Sequence, residues 1–167
     1  MNPKTAREAV KIARGIERGA KNIKNVEIVL APPFLYIPFV GEIIKRNSQL
    51  KLAAQNAFYE KGGAYTGEIS ASQLKALGVR YVITGHSERR ALGETDEIVN
   101  KKLKAVLRAG MRAVLCVGEK EKIKNEAFPQ IVRDELRLGL KSIKKSLLKN
   151  LIIAYEPVWA VGTGRAD

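Results

Sequence analysis

The sequence holds one cysteine and one histidine in 167 residues. A lone Cys116 cannot close an intramolecular disulfide. One cysteine with one histidine also falls short of the ligand set of a Cys/His zinc site, so no metal is expected. Within the apolar stretch RAVLCV, Cys116 reads as a small buried hydrophobe. Aromatic residues are scarce, at 6%, and no basic stretch interleaves them as a stacking platform for bases would. No apolar run approaches the roughly 20 residues of a membrane span. The start, MNPKTAREA, has neither the apolar segment nor the small-residue cleavage site of a secretory signal. The expectation is a cytoplasmic protein with no membrane partner. Acidic residues are outnumbered, 17 against 30 Lys and Arg, for a net charge of +13. That excess is the one compositional hint of a nucleic-acid partner. The charges are spread along helix-like segments such as KSIKKSLLKN and NKKLKAVLRAG, however, as on solvated helix faces, and no nucleic-acid partner is expected. A basic surface would equally attract a phosphorylated anion.

Hydrophobic residues make up 46% of the chain, which fits a globular domain with a real core. Five short, β-branched-rich segments recur: VEIVLA at 26–31, LKLAA at 50–54, YVIT at 81–84, RAVLCV at 112–117 and LIIAY at 151–155. They are continuous apolar runs, as suits strands buried on both faces. Helical patterns lie between them. Ala6, Ala9, Val10, Ala13 and Ile16 share a face, behind a cap and first-turn proline at Asn2 and Pro3. Residues 34–46 read as a helix interrupted by Pro38 and Gly41. Ser70 to Leu77 is a short helix stopped by Gly78. Thr95, followed by Asp96 and Glu97, opens a helix carrying Val99, Leu103 and Val106. Val132, Leu136, Leu140, Ile143 and Leu147 mark one long helix. Strict alternation of helix and buried strand implies an α/β fold with a parallel sheet and outer helices. An open doubly wound sheet and an arc of a (β/α)₈ barrel both fit. Either binds ligands at the carboxyl ends of its strands.

At those ends stand TGHSERR after the third strand, VGEKE after the fourth and YEPVWAVGTG after the fifth. The only histidine, His86, thus lies on the ligand-binding rim, beside a helix start at Ser87. A helix N-terminus disfavours positive charge on the ring and keeps a hydrogen-bond donor available. GHSER is not a nucleophile elbow: Arg89 breaks the pattern, and no second histidine exists to serve the serine. No phosphate-binding P-loop is present, and the GTG at 162–164 lacks the third glycine of a dinucleotide fingerprint. Glu119 and Glu121 read as members of a solvated loop. Glu156, against Pro157 and Trp159, can be desolvated by a closing flap, which strengthens a carboxylate as a base. Gly162 offers an N–H that a phosphate could approach without steric hindrance. Together these suggest proton transfer next to the carbonyl of a small phosphorylated substrate.

At these residues the sequence resembles the triosephosphate isomerase family. YVITGHSERR (81–90), AYEPVWAVGTG (154–164) and AQNAFYEKGGAYTGEIS (54–70) carry the match, with LCVGE (115–119) and LAPPF (30–34) in agreement. The resemblance implies a partial TIM (β/α)₈ barrel, five parallel strands with outer helices, as one incomplete domain over residues 1–167. It implies that His86 polarises the substrate carbonyl, Glu156 moves the proton, Gly162 binds the phosphate and Glu88 supports the site. The implied reaction interconverts dihydroxyacetone phosphate and glyceraldehyde 3-phosphate in glycolysis and gluconeogenesis, with no cofactor or metal. The implied partner is a second copy, in a homodimer of the complete protein. The family begins with N-W-K-M-N, of which only Met1 and Asn2 have counterparts. Its seventh and eighth strands are missing, leaving five of eight. The chain is therefore expected to be a fragment with little isomerase activity by itself. A non-catalytic assembly module and a basic RNA-binding α/β protein are the alternatives.

Overall fold

Thr5 opens the first helix. Its backbone is extended, and its hydroxyl accepts the Glu8 N–H at 3.2 Å, satisfying one of the free donors of the first turn. The cap therefore lies three residues beyond Asn2, where the sequence pattern put it. This is a computed structural model, and it describes residues 1–121 and 128–160. The chain divides into two compact units, Met1–Val82 and Ile83–Asp167.

In the first unit, α1 (Ala6–Ala20) buries Ala9, Ala13 and Ala20. Strand β1 (Ile28–Leu30) is shorter than the apolar segment that predicts it, with Val26 and Val29 left exposed. It pairs in parallel with β2 (Leu50–Ala54), Ile28 facing Leu50 and Leu30 facing Leu52. The helix expected at 34–46 splits into a 3₁₀ turn, Phe34–Tyr36, and α2 (Ile37–Ile44). Pro38 falls in the first turn of α2, where no backbone N–H is needed. Gly41 faces β2: a Cβ there would stand 3.2 Å from Leu52 Cδ2, so glycine lets the helix close on the strand. Helix α3 (Ala71–Ala76) begins with a reciprocal capping box between Ser70 and Gln73. Strand β3 (Tyr81–Thr84) starts in this unit, with Ala53 opposite Tyr81 and Ala54 opposite Val82.

In the second unit, the rest of β3 lies beside β4 (Arg112–Val117), and Thr84 Oγ1 donates to the Val114 carbonyl at 3.2 Å. β4 pairs in parallel with β5 (Leu151–Tyr155), in register from Ala113 opposite Leu151 to Val117 opposite Tyr155. Short α4 (Ser87–Ala91) follows β3, and α5 (Asp96–Arg108) follows with Thr95 as its cap. Val99, Leu103, Val106, Leu107, Leu115 and Val132 are buried in the core of this unit. The long helix expected from Val132 to Leu147 is not one helix. α6 (Gln130–Gly139) ends after ten residues, Ser142 turns with φ 59°, and a 3₁₀ segment, Lys145–Asn150, leads into β5. The reason is tertiary. The Asn100 amide donates to Gly139 O at 2.7 Å and Lys141 O at 2.9 Å, taking up carbonyls that a helix end leaves free.

Leu103 is fully buried and lies close to Gly139 of α6. Leu103→Ala should lower stability by about 2–5 kcal/mol through lost burial and a residual cavity. Urea denaturation followed by circular dichroism measures the change.

Candidate active site

One residue, Gly85, separates His86 from the end of β3. The chain leaves the strand through Gly85 at φ 69°, a left-handed conformation natural to glycine. A Cβ at Gly85 would meet Arg90 Nη2, Cys116 O and Val99 Cγ1, each at 3.2 Å, so the turn is also tightly enclosed. His86 then caps α4, its Nδ1 accepting the Glu88 N–H at 3.3 Å. A nitrogen that accepts carries no proton, so a neutral ring bears its hydrogen on Nε2.

Nε2 lies 3.2 Å from Glu156 Oε1. The Glu156 carboxylate comes from the end of β5, and its Oε2 accepts the Ser87 N–H at 3.2 Å. The two side chains are 33% and 19% exposed, open enough to meet a ligand yet drier than a free surface pair. The structure thus brings together the histidine and the glutamate that the sequence singles out. Glu88 sits differently: its side chain is 87% exposed and its carboxylate is 3.9 Å from Nδ1. Its closer link to the ring is its own backbone N–H. Gly162 lies outside the described residues.

The main chain around Glu156 has almost no slack. Its N–H donates to Val117 O at 2.8 Å, continuing the β4–β5 ladder past Tyr155. A Cβ on Gly118 would fall 1.8 Å from the Glu156 carbonyl oxygen, so no side chain fits there. Glu119 corrects the sequence reading. Far from being solvated, it is buried, and its Oε1 accepts from Tyr155 OH at 2.8 Å and Trp159 Nε1 at 2.6 Å. It therefore holds the root of the segment behind Glu156, and the Val158 N–H donates to its carbonyl at 3.0 Å. Glu121 is exposed, as expected.

Two further groups escaped sequence reasoning. Arg90 Nε donates to Gly85 O at 2.8 Å and Arg90 Nη1 to Asp96 at 2.6 Å. Glu135, buried on α6, accepts the Gly118 N–H at 2.9 Å. Glu135's position on the buried face of a helix was the one available signal, since an acid there is unusual. Burial pushes its carboxyl above the ordinary range, partly offset by the Gly118 N–H and by Arg90. Burial, with the nearby Glu156 charge, also pushes the Cys116 thiol up to about 11. Among the described residues, no three His, Cys, Asp or Glu side chains form a group able to hold a metal ion.

A carboxylate and an imidazole facing each other at the carboxyl ends of parallel strands define an α/β protein with a potential acid–base pair on its ligand-binding rim. The family model described as triosephosphate isomerase matches residues 1–167, and the chain belongs to that family. Its fold is accordingly part of a (β/α)₈ barrel, α/β with five parallel strands and their helices. A triosephosphate isomerase of Geotalea uraniireducens is 46% identical over 165 residues, covering 97% of this chain and 65% of that one. One from Thermodesulfovibrio yellowstonii is 45% identical over 163 residues, covering 96% and 65%. One from Clostridium botulinum is 41% identical over 164 residues, covering 97% and 65%. The chain thus spans about 65% of the length of these relatives.

The raised thiol gives a direct check. At pH 8, below both values, a thiol at its ordinary 9.0 is tens of times more ionised than one near 11. Iodoacetamide should therefore label Cys116 about a hundredfold more slowly in the folded chain than in denaturant. Mass spectrometry of quenched samples reads the two rates.

Proposed function

We propose that the protein catalyses the interconversion of dihydroxyacetone phosphate and D-glyceraldehyde 3-phosphate, with Glu156 as the base and His86 as the hydrogen-bond donor to the carbonyl. The single observation that carries this reading is the 3.2 Å approach of His86 Nε2 to Glu156 Oε1, between residues 70 positions apart in the chain. The carboxylate removes a proton from the carbon beside the carbonyl. The Nε2–H meets the oxygen on which negative charge develops, the point where a fixed dipole lowers the barrier most. The hydroxyl proton passes to the former carbonyl oxygen, relayed by the imidazole, as the carbon proton is returned to the adjacent carbon, and this completes the exchange of ketose for aldose. Neither step needs a cofactor or a metal.

As it stands, Glu156 Oε2 rests on the Ser87 N–H. To reach a substrate carbon the carboxylate must leave that donor. Glu119, gripping Trp159 and Tyr155, anchors the stretch immediately behind Glu156. Gly162 would then present its N–H to the phosphate. Glu88 supports the ring through its backbone. The same reading makes the protein a cytoplasmic enzyme of glycolysis and gluconeogenesis and, in complete form, a homodimer. The 54–70 segment that would reach the second copy is internally braced, with the Phe58 ring tilted against Tyr59 and Tyr65 at 4.3 and 4.8 Å between ring centres.

Assayed as the cell produces it, the protein should interconvert the two triose phosphates. Glu156→Gln and His86→Gln should each cut kcat by about 10²–10⁴-fold. Turnover unaffected by either change would overturn the assignment. The 167 residues alone should turn over on the order of a hundredfold more slowly than the longer relatives, because positioning dominates such catalysis. Ile152, Ile153 and Tyr155 of β5 stand 41%, 44% and 48% exposed in this chain, an edge unsuited to a rigid site. A coupled dehydrogenase assay on this chain and on one of those relatives makes the measurement.

A further inference from the structure

We propose that Glu135 is a positioning residue that sets the distance between His86 and Glu156, acting through Arg90 on one side and the backbone of Gly118 on the other. The inference rests on the assignment of that pair as the reacting groups. Glu135 touches neither of them. One of its oxygens accepts the Gly118 N–H at 2.9 Å, and the other lies 3.3 Å from Arg90 Nε.

Each arm ends at one member of the pair. Arg90 Nε also donates to Gly85 O, the carbonyl of the residue immediately before His86. The Gly85 turn is enclosed so tightly that a Cβ there would stand 3.2 Å from Arg90 Nη2, Cys116 O and Val99 Cγ1, and the Arg90–Gly85 bond therefore ties the turn, and the ring after it, to Arg90. On the other arm, Gly118 packs against the Glu156 main chain so closely that even a methyl group is excluded. A shift of Gly118 is therefore felt directly by the Glu156 main chain. The Glu135 carboxylate is the bridge between these arms, and Asp96 holds the Arg90 guanidinium from its other side at 2.6 Å.

The energetics argue against a merely stabilising role. Glu135 is 5% exposed, and burying a carboxylate carries a desolvation cost that pairing must offset. An apolar side chain of similar size on α6 would pack against the same core without that cost. What such a side chain could not do is accept a backbone N–H and hold a guanidinium at once. The structure therefore assigns geometry to Glu135, with the two arms as evidence.

His86 is the only histidine of the 167 residues, so its ring nitrogens report on the pair without ambiguity. Glu135→Gln keeps the shape but removes the charge that holds Arg90. In the ¹⁵N spectrum of the chain, this change should move the His86 ring resonances. In the active form of the protein it should lower kcat by about 10–100-fold while KM stays within about threefold. Glu135→Asp, which keeps the charge on a shorter stem, should recover part of both effects. Arg90→Lys keeps a charge beside Glu135 but loses the fork, and should move the His86 signals in the same way. If Glu135→Gln does not fold, as judged by circular dichroism, Arg90→Lys decides alone. Unmoved His86 signals in the folded variants would overturn the proposal, as would a loss of thermal stability with kcat unchanged. If the His86 signals move but the unaltered protein never isomerises triose phosphates, the proposed function fails and the positioning role stands.

Discussion

The contact on which the site depends is between two stretches of backbone. Strands β4 and β5 run in register for five residue pairs, and the ladder continues one step further when the Glu156 N–H bonds to Val117 O. Gly118 then lets the Glu156 carbonyl come closer than any side chain would allow. Side chains alternate along a strand, so a one-residue slip would turn Glu156 to the opposite face. The register of two strands thus decides whether a carboxylate meets the imidazole or points away from it.

Around that contact the second unit keeps several charges away from water. Glu94 pairs with Lys102, both side chains 4% exposed, and Arg89 Nε reaches the same carboxylate at 3.3 Å. Glu119 takes a hydroxyl and an indole, and Glu135 takes a backbone N–H and a guanidinium. Buried charge of this kind is weak support for stability, because desolvation consumes most of what pairing returns. Its consistent effect here is directional: each carboxylate fixes a loop or turn that no apolar contact could orient. The turn joining α4 to α5, the root of the segment behind Glu156 and the end of β4 are each held by one acid.

Much of the framework was legible from local pattern. Segments 50–54, 81–84, 112–117 and 151–155 are strands with the bounds that their apolar runs suggest. Ser70 and Thr95 cap helices as their side chains allow. His86 and Glu156 stood out because parallel sheets bind ligands at strand carboxyl ends, and both lie at such ends. Two of the readings that failed share one cause. The stripe from Val132 to Leu147 keeps a helical period, yet Asn100, distant in sequence, captures the carbonyls that end α6. Glu119 looks like a loop acid until Tyr155 and Trp159 are brought to it.

The order of elements, the strand-end location of the two candidate reacting side chains and the scarcity of metal ligands follow from the sequence, because each depends on neighbours within a few residues. The 3.2 Å meeting of His86 with Glu156, the burial of Glu119 and the bridging place of Glu135 were decided by tertiary structure alone. They join residues from 17 to 70 positions apart, and no periodicity within a strand or helix encodes which distant group a side chain will meet.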